Sequence, residues 1–276
     1  MPRDVPSPPA HQRAHGRAML HVAATSGGTR IADLFQAAPL RWLFPDVEAD
    51  EPKPGALVNV AGGLAGGDSL EIALHVEAGA AFTATTPAAE KLYRSLGPST
   101  VIRTQVQVAA GATCEWLPQE TILFDQARLD RRLTLDLEAE SRLLAAELLV
   151  LGRAAHGEQV SGGSVLDAWR VRRGGRLIWA DALRLADPFR DAADRFALAG
   201  ANAAATLLLA APDAAAHREL ARDCADGAAS LVAPGLLVAR WLGEAGAVRN
   251  ALGAAICRLR TAALGHPPRL PRLWRT

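Results

Sequence analysis

The chain has 276 residues, half of them apolar, and a formal net charge of +1. It can bury one large core or two modest ones, and it lacks the dense cationic excess on which nucleic-acid binding leans. Three cysteines, Cys114, Cys224 and Cys257, are too few and too far apart for a disulfide framework or a C-x-x-C metal site, which points to a reducing, cytoplasmic setting.

In chain order, Met1 to His15 is rich in proline and polar residues and has no apolar signal core, so a disordered tail is expected there, followed by one domain over 16–276. Gly62 and Gly67 have the spacing of a phosphate loop, G-x-x-x-x-G-K-[ST], yet Asp68 stands where the lysine is required. A carboxylate there repels phosphate, so the glycines are read as serving tight turns, positive φ and the close approach of another segment. Leu70, Ile72, Leu74 and Val76 alternate as in a strand, and Val101, Val106 and Val108 do so more loosely. A short helix is expected from Thr86, with Pro87 in its first turn, to about Gly97, which would place Glu90 and Arg94 as an i, i+4 pair.

Val76-Glu77-Ala78-Gly79-Ala80 is echoed at Val108-Ala109-Ala110-Gly111-Ala112 and more faintly at Leu137-Glu138-Ala139-Glu140-Ser141. Units of that size, unable to bury a face alone, tend to stack as in β-solenoids. The apolar run Leu143 to Leu151 is interrupted by Glu147 and falls well short of the ~18 residues of a membrane span. Asp167 to Leu183 reads as a hairpin turning at Gly174-Gly175, with Val171 opposite Ile178 and with Trp169 and Trp179 as core or cover.

Helical signals come late. Asp213 is placed to cap a helix reaching about Asp226, with Leu220 and Cys224 on one face. Leu231 to Trp241 reads as a strand broken at Pro234-Gly235. From Glu244 to Leu264, Val248, Leu252, Ile256, Leu259 and Ala263 form one apolar stripe, ended by Gly265 and Pro267-Pro268. The predicted fold is mainly β, an elongated β-helix-like stack of short strands with two C-terminal α-helices.

The candidate chemistry is carried by carboxylates. None of the seven histidines forms an H-x-H or a His/Cys cluster in a structured element; His11 and His15 are i, i+4 but lie in the tail. There is no G-x-S-x-G elbow, and Cys114 sits in a predicted strand without an adjacent base. Asp68, Glu115, Glu120, Asp125, Glu147 and Glu158 fall beside apolar or glycine-rich sequence, where an unpartnered charge is costly. Two readings stay open for them. They pair with arginines such as Arg94, Arg128 or Arg153, or they line a wet passage whose hard oxygen ligands hold a cation weakly enough to release it.

Several motifs in fixed order carry a resemblance. Beside Gly62 to Asp68 these are Thr85-Thr86-Pro87-Ala88-Ala89-Glu90-Lys91-Leu92-Tyr93-Arg94, Glu115-Trp116-Leu117-Pro118-Gln119-Glu120, Phe124-Asp125, and Gly152-Arg153 with Gly157-Glu158. From Thr29-Arg30 and Pro39-Leu40-Arg41 to Pro271-Arg272-Leu273-Trp274 the chain resembles the urease accessory protein UreD (UreH) family, departing in details such as Val60 and Ala65. The resemblance implies a non-enzymatic urease maturation factor in the cytoplasm. It would link apo-urease subunits to UreF and the GTPase UreG and pass nickel toward the urease active site without holding a cofactor tightly. GTP would belong to the GTPase, in agreement with the missing lysine. The lining proposed on this basis is Asp68, Thr85, Thr86, Glu115, Glu120, Asp125, Glu147 and Glu158, with Lys91, Tyr93, Arg94 and Arg153 as further motif residues. The alternative is a carboxylate-dependent hydrolase or isomerase on a β-solenoid frame.

Overall fold

A computed structural model of the chain describes residues 13–153, 156–158, 160–186, 189 and 198–275. The expected tail lies outside these residues as far as position 12. The N–H of Ala14 is already held by Asp68 at 2.9 Å, and His15 opens the first strand.

The strands are β1 (His15–Thr25), β2 (Gly28–Ala37), β3 (Leu40–Leu43), β4 (Lys53–Asn59), β5 (Ser69–Val76), β6 (Ala81–Thr85), β7 (Glu90–Leu92), β8 (Thr100–Val108) and β9 (Thr113–Leu117). They continue with β10 (Thr121–Leu123), β11 (Arg128–Leu137), β12 (Arg142–Leu151), the hairpin β13 (Ser164–Arg173) and β14 (Arg176–Leu185), and β15 (Ala203–Ala210). Helix α1 (Arg218–Cys224), strands β16 (Ala229–Ala233) and β17 (Leu236–Gly243) and helix α2 (Ala245–Leu264) complete the chain. The first sheet runs β14-β13-β11-β8-β5-β1-β2 and the second β16-β17-β15-β12-β9-β6-β4-β3. Because β5, β8 and β11 pair in parallel in one sheet and β6, β9 and β12 in the other, the chain winds between the sheets as it climbs. This is the β-solenoid stacking expected from the repeat.

The repeat is in register. Val76 pairs with Val108 and Val108 with Leu137, all buried. At the corner after each strand the next N–H reaches the previous coil: Ala109 to the Val76 carbonyl at 2.9 Å and Glu138 to the Val108 carbonyl at 3.0 Å. Each corner then needs one left-handed residue, supplied by Gly79 (φ 73°), Gly111 (φ 67°) and Glu140 (φ 58°). Only the third coil carries a Cβ where the geometry favours glycine. Replacing Glu140 by glycine is expected to raise the unfolding free energy by about 0.5–1 kcal/mol, read as an increased urea midpoint at constant slope. A lowered midpoint would contradict this account of the corner.

Burial explains why the strands differ in pattern. β5, β8 and β11 alternate because one face meets the core and the other meets solvent. β12 is buried on both faces, so its apolar run is continuous. Leu143, Ala145 and Leu149 face the first sheet, whereas Leu144, Ala146, Leu148 and Val150 face the helices. The second sheet is therefore the middle of three layers. On the helical side the predicted stripe of α2 is buried throughout, with Glu244 capping through Ala247 N–H at 2.9 Å and Gly265 left-handed at φ 70°.

Four local readings need correction. The helix expected from Thr86 is absent; the segment instead forms β7, where Leu92 pairs with Leu123 and bridges Leu64. Neighbouring coils offer ready backbone partners, and a short helix has a costly nucleus. Without the helix Glu90 and Arg94 do not pair, and Glu90 accepts from Asn59 Nδ2 at 3.1 Å on both oxygens. The hairpin turns at Gly174 and Gly175 as read, but a bulge at Ile178 places Val171 opposite Trp179. Asp213 does not cap a helix with its side chain; it binds Arg142 Nη1 at 2.7 Å, a short 3₁₀ turn intervenes, and α1 ends at Cys224. Pro234-Gly235 turns a hairpin between β16 and β17 where a single broken strand was expected.

Candidate functional site

Inward-facing positions of the first sheet are largely aliphatic, and two charged residues, Arg131 and Asp167, break that pattern. Arg131 shares its parity with Leu129, Leu133 and Leu135, and it points between the sheets. From β13, Asp167 grips it with a two-pronged contact, Nε to Oδ1 at 2.9 Å and Nη2 to Oδ2 at 2.6 Å. Across the gap β12 supplies Glu147, 6% exposed, whose Oε2 lies 3.2 Å from the same Nη2. Thr121 Oγ1 accepts from Arg131 Nη1 at 2.9 Å.

Two carboxylates thus share one guanidinium, and the shorter contacts belong to Asp167. Arg131 forms an ion pair with Glu147 but no hydrogen bond, so Glu147 Oε2 has no hydrogen-bond partner among the described residues, nor has Trp116 Nε1. Burial pushes the Glu147 carboxyl up to about 7; Arg131 and the neighbouring Trp116 indole only partly oppose this, and Asp167 adds to it.

Glu147 also stands where two cavities meet. One, about 70 Å³, is bordered by Glu147, Arg131, Trp116, Thr121, Thr86 and Glu90. The other, about 460 Å³, continues past Glu147 and Asp167 to the Asp181–Arg240 ion pair and Trp241. The first has room for water and a donor and an acceptor with unmet hydrogen-bonding capacity, the conditions under which a protein interior is hydrated. Glu90 at its far side resembles Glu147: burial pushes its carboxyl up to about 7 against the opposing hydrogen bonds from Asn59 and the Lys91 backbone.

The other predicted carboxylates lie elsewhere. Glu115, on the opposite face of the second sheet, is fully buried against Arg260 of α2. Glu120 meets Arg249 at 3.2 Å, and Glu158 meets Arg153 at 2.8 Å. Asp68 accepts the N–H groups of Ala14 and Ala65, and Asp125 those of Ser161 and Gly162. Among the described residues no group of three or more His, Cys, Asp or Glu is arranged to hold a metal ion. Burial pushes the Cys114 thiol up, out of the range of a nucleophile.

The motif residues gather at one corner of the coil. Tyr93 donates to the Gly62 carbonyl at 2.9 Å and meets Phe124 edge-on at 5.1 Å, while Arg153 lies 4.2 Å over the Phe124 ring. Lys91 and Arg94 are exposed beside it. Close approach also accounts for the glycine loop, since a Cβ on Gly66 would lie 2.5 Å from the Pro98 carbonyl oxygen. Of the two threonines, Thr86 accepts from Gln119 N–H at 2.9 Å and borders the smaller interior cavity. Thr85 is buried and lines a separate crevice with Pro54 and Leu273.

Of the lining residues named from sequence, Glu147 and Thr86 border these cavities and Glu115 and Thr85 are buried elsewhere, whereas Arg131, Asp167 and Glu90 border them without having been so named. For Arg131 and Asp167 a signal was present, a charge at a position of apolar parity. Glu90 was hidden by the mistaken helix.

Comparison with known proteins follows the same line as the motifs. Residues 14–275 match the family model described as UreD urease accessory protein. Urease accessory protein UreD of Granulibacter bethesdensis is 48% identical over 237 residues, covering 84% of this chain and 99% of that protein. Urease accessory protein UreD 2 of Methylorubrum populi is 45% identical across 100% of this chain and 94% of its own length, and UreD of Azorhizobium caulinodans is 44% identical across 96% and 98%.

Proposed function

The chain belongs to the UreD urease accessory protein family, and from that premise we propose that it is a non-catalytic urease maturation factor that passes nickel between its two sheets toward apo-urease. It works in the cytoplasm as a scaffold, with UreF and the GTPase UreG as the companions that deliver the ion. The observation that carries this reading is the placement of Glu147 where a small inner cavity meets a larger cleft that opens at the surface, with an oxygen left without a hydrogen bond.

A fixed metal site would be a poor conductor, because an ion bound by three or four convergent ligands leaves slowly. An interior with separated carboxylates and hydroxyls, in which one arginine offsets part of the charge, suits a hydrated ion in transit. Glu147, Asp167 and Glu90 are the oxygens best placed for that role, with Thr86 and Thr121 between them. A buried carboxylate held away from its preferred charge state costs stability, and such costs gather at working sites. Asp68, Glu120, Asp125 and Glu158 are better explained as struts, since each already binds a backbone N–H or an arginine. The family names, all of accessory proteins, favour this over a hydrolase or isomerase.

Co-expression with the urease subunits and the other accessory proteins tests the reading. Replacing Glu147 by leucine is expected to lower nickel per urease active site severalfold while the variant still co-purifies with apo-urease. Normal nickel content in that variant and in Asp167→Leu would overturn the passage.

A further inference from the structure

The two sheets differ in what covers them. Helix α2 packs on β12, β15 and β17 of the second sheet, whereas outward residues of the first sheet, among them Arg17, Glu71, Arg132 and Arg170, are exposed. Across the middle of that exposed face runs a groove of about 490 Å³, floored by Met19, Ala73 and Thr134 and edged by Arg103, Arg132, Arg170 and Arg172.

Register creates this concentration. Arg132 pairs directly with Arg103 on the neighbouring strand, and Arg170 pairs with Thr134, two positions further along. Like charges side by side on one face oppose folding, so the arrangement has a cost that local acids relieve only in part. Asp130 serves both Arg103 at 2.7 Å and Arg132 at 3.1 Å. The nearest carboxylate to Arg172, Asp136, is 3.9 Å away, and Arg170 has no polar partner among the described residues. Glu71, the one acid on the groove lining, is held by Arg17 at 2.9 Å. Four guanidinium groups against Asp130 and Asp136 leave a local excess of two positive charges, in a chain whose total is only +1.

We propose that this groove docks an acidic segment of a partner protein, laid across β8, β11 and β13 with its carboxylates on Arg170 and Arg172. Planar guanidinium forks suit carboxylates, and Met19 and Ala73 on the floor receive the intervening aliphatic side chains. Nucleic acid fits less well, because Glu71, Asp130 and Asp136 are interleaved in the same rows and would face phosphates. A second copy fits least, since a two-fold contact would set arginine against arginine. The proposal stands on the outer face and does not depend on the interior passage.

The test titrates the full chain into a fluorescein-labelled dodecapeptide of alternating glutamate and alanine, followed by anisotropy at low salt. Binding by the wild type is expected, with affinity reduced about tenfold or more in Arg170→Ala/Arg172→Ala, equivalent to ~1.4 kcal/mol. Affinity is expected to be unchanged in the control Arg218→Ala/Arg222→Ala, on exposed α1. The proposal is overturned by absent binding, by equal loss in the control, by tighter binding of a labelled twelve-residue oligothymidylate, or by a dimer in sedimentation that the double variant abolishes.

Discussion

Arg260→Ala is expected to destabilise the protein by about 3–5 kcal/mol, the range for breaking a buried charge pair by removing one member. Arg260 is fully buried on α2 and ties three otherwise separate segments together. It donates through Nε to Glu115 Oε1 at 2.6 Å and through Nη2 to Glu115 Oε2 at 3.0 Å and Glu51 Oε2 at 2.5 Å. Nη1 donates to the Arg269 carbonyl. Glu115 additionally accepts from Thr83 Oγ1 at 2.5 Å and has the His266 imidazole 3.2 Å away.

Removing the guanidinium leaves Glu115 charged, dry and held only by a hydroxyl and an imidazole. Although burial pushes the Glu115 carboxyl up, its contacts with His266 and Arg260 hold it below the ordinary 4.5. The sign follows: this stability is present above the unfolded value and is lost as pH falls through the lower folded value. Urea unfolding checks both points. The midpoint of Arg260→Ala should fall at constant slope, and Glu115→Leu/Arg260→Met should recover part of the loss by leaving no unpaired ion. A change below about 1 kcal/mol for Arg260→Ala would remove the network from the list of things that hold α2 to the sheet.

Glu147→Gln is expected to act in the opposite direction and to depend on pH. The folded carboxyl is pushed up to about 7 from 4.5, so the stability tied to its protonated form is present below pH 4.5 and disappears as pH rises through 7. At 1.36 kcal/mol per pKa unit the loss approaches about 3 kcal/mol by pH 8. Glutamine keeps the shape and removes the charge, leaving Arg131 to Asp167. The variant should therefore resemble the wild type near pH 5 and exceed it at pH 8 by up to about 3 kcal/mol. A urea series across pH measures this. If Glu147→Gln is less stable at pH 8, Arg131 contributes more to Glu147 than burial takes away, and the passage loses its strained carboxylate. Greater stability together with lower urease nickel would place the cost of Glu147 where the proposed function needs it.

Much of the fold was legible because its signals are local and periodic. The stripe of α2, its Glu244 and Gly265 ends and the Gly174-Gly175 turn lie within short windows, and the stacked Val76, Val108 and Leu137 recur at a nearly constant period. The errors share a cause. At Thr86 to Gly97 helical spacing competed with the neighbouring coils' backbone groups, which no local window displays. At Asp213 a good capping residue was taken by Arg142, far away in sequence.

The candidate site was legible in part for the same reason. Carboxylates beside apolar sequence were conspicuous, yet their partners are 145 residues away for Glu115 and 129 for Glu120. Only Glu158 meets an arginine, Arg153, that lies near enough to be named from sequence.

By itself the sequence determined the family, the coiling of short strands, the two late helices and the loss of a phosphate-loop lysine at Asp68, because ordered motifs and periodicity are properties of the chain alone. Only the tertiary structure decided which face of the middle sheet each acid occupies. Glu115 and Glu147, both buried on that sheet, have opposite fates: the first is locked beneath α2 by Arg260, and the second stands between cavities with an oxygen to spare. Burial fixes the cost of a charge, but the partner that offsets it comes from whichever strand or helix folding brings across the gap.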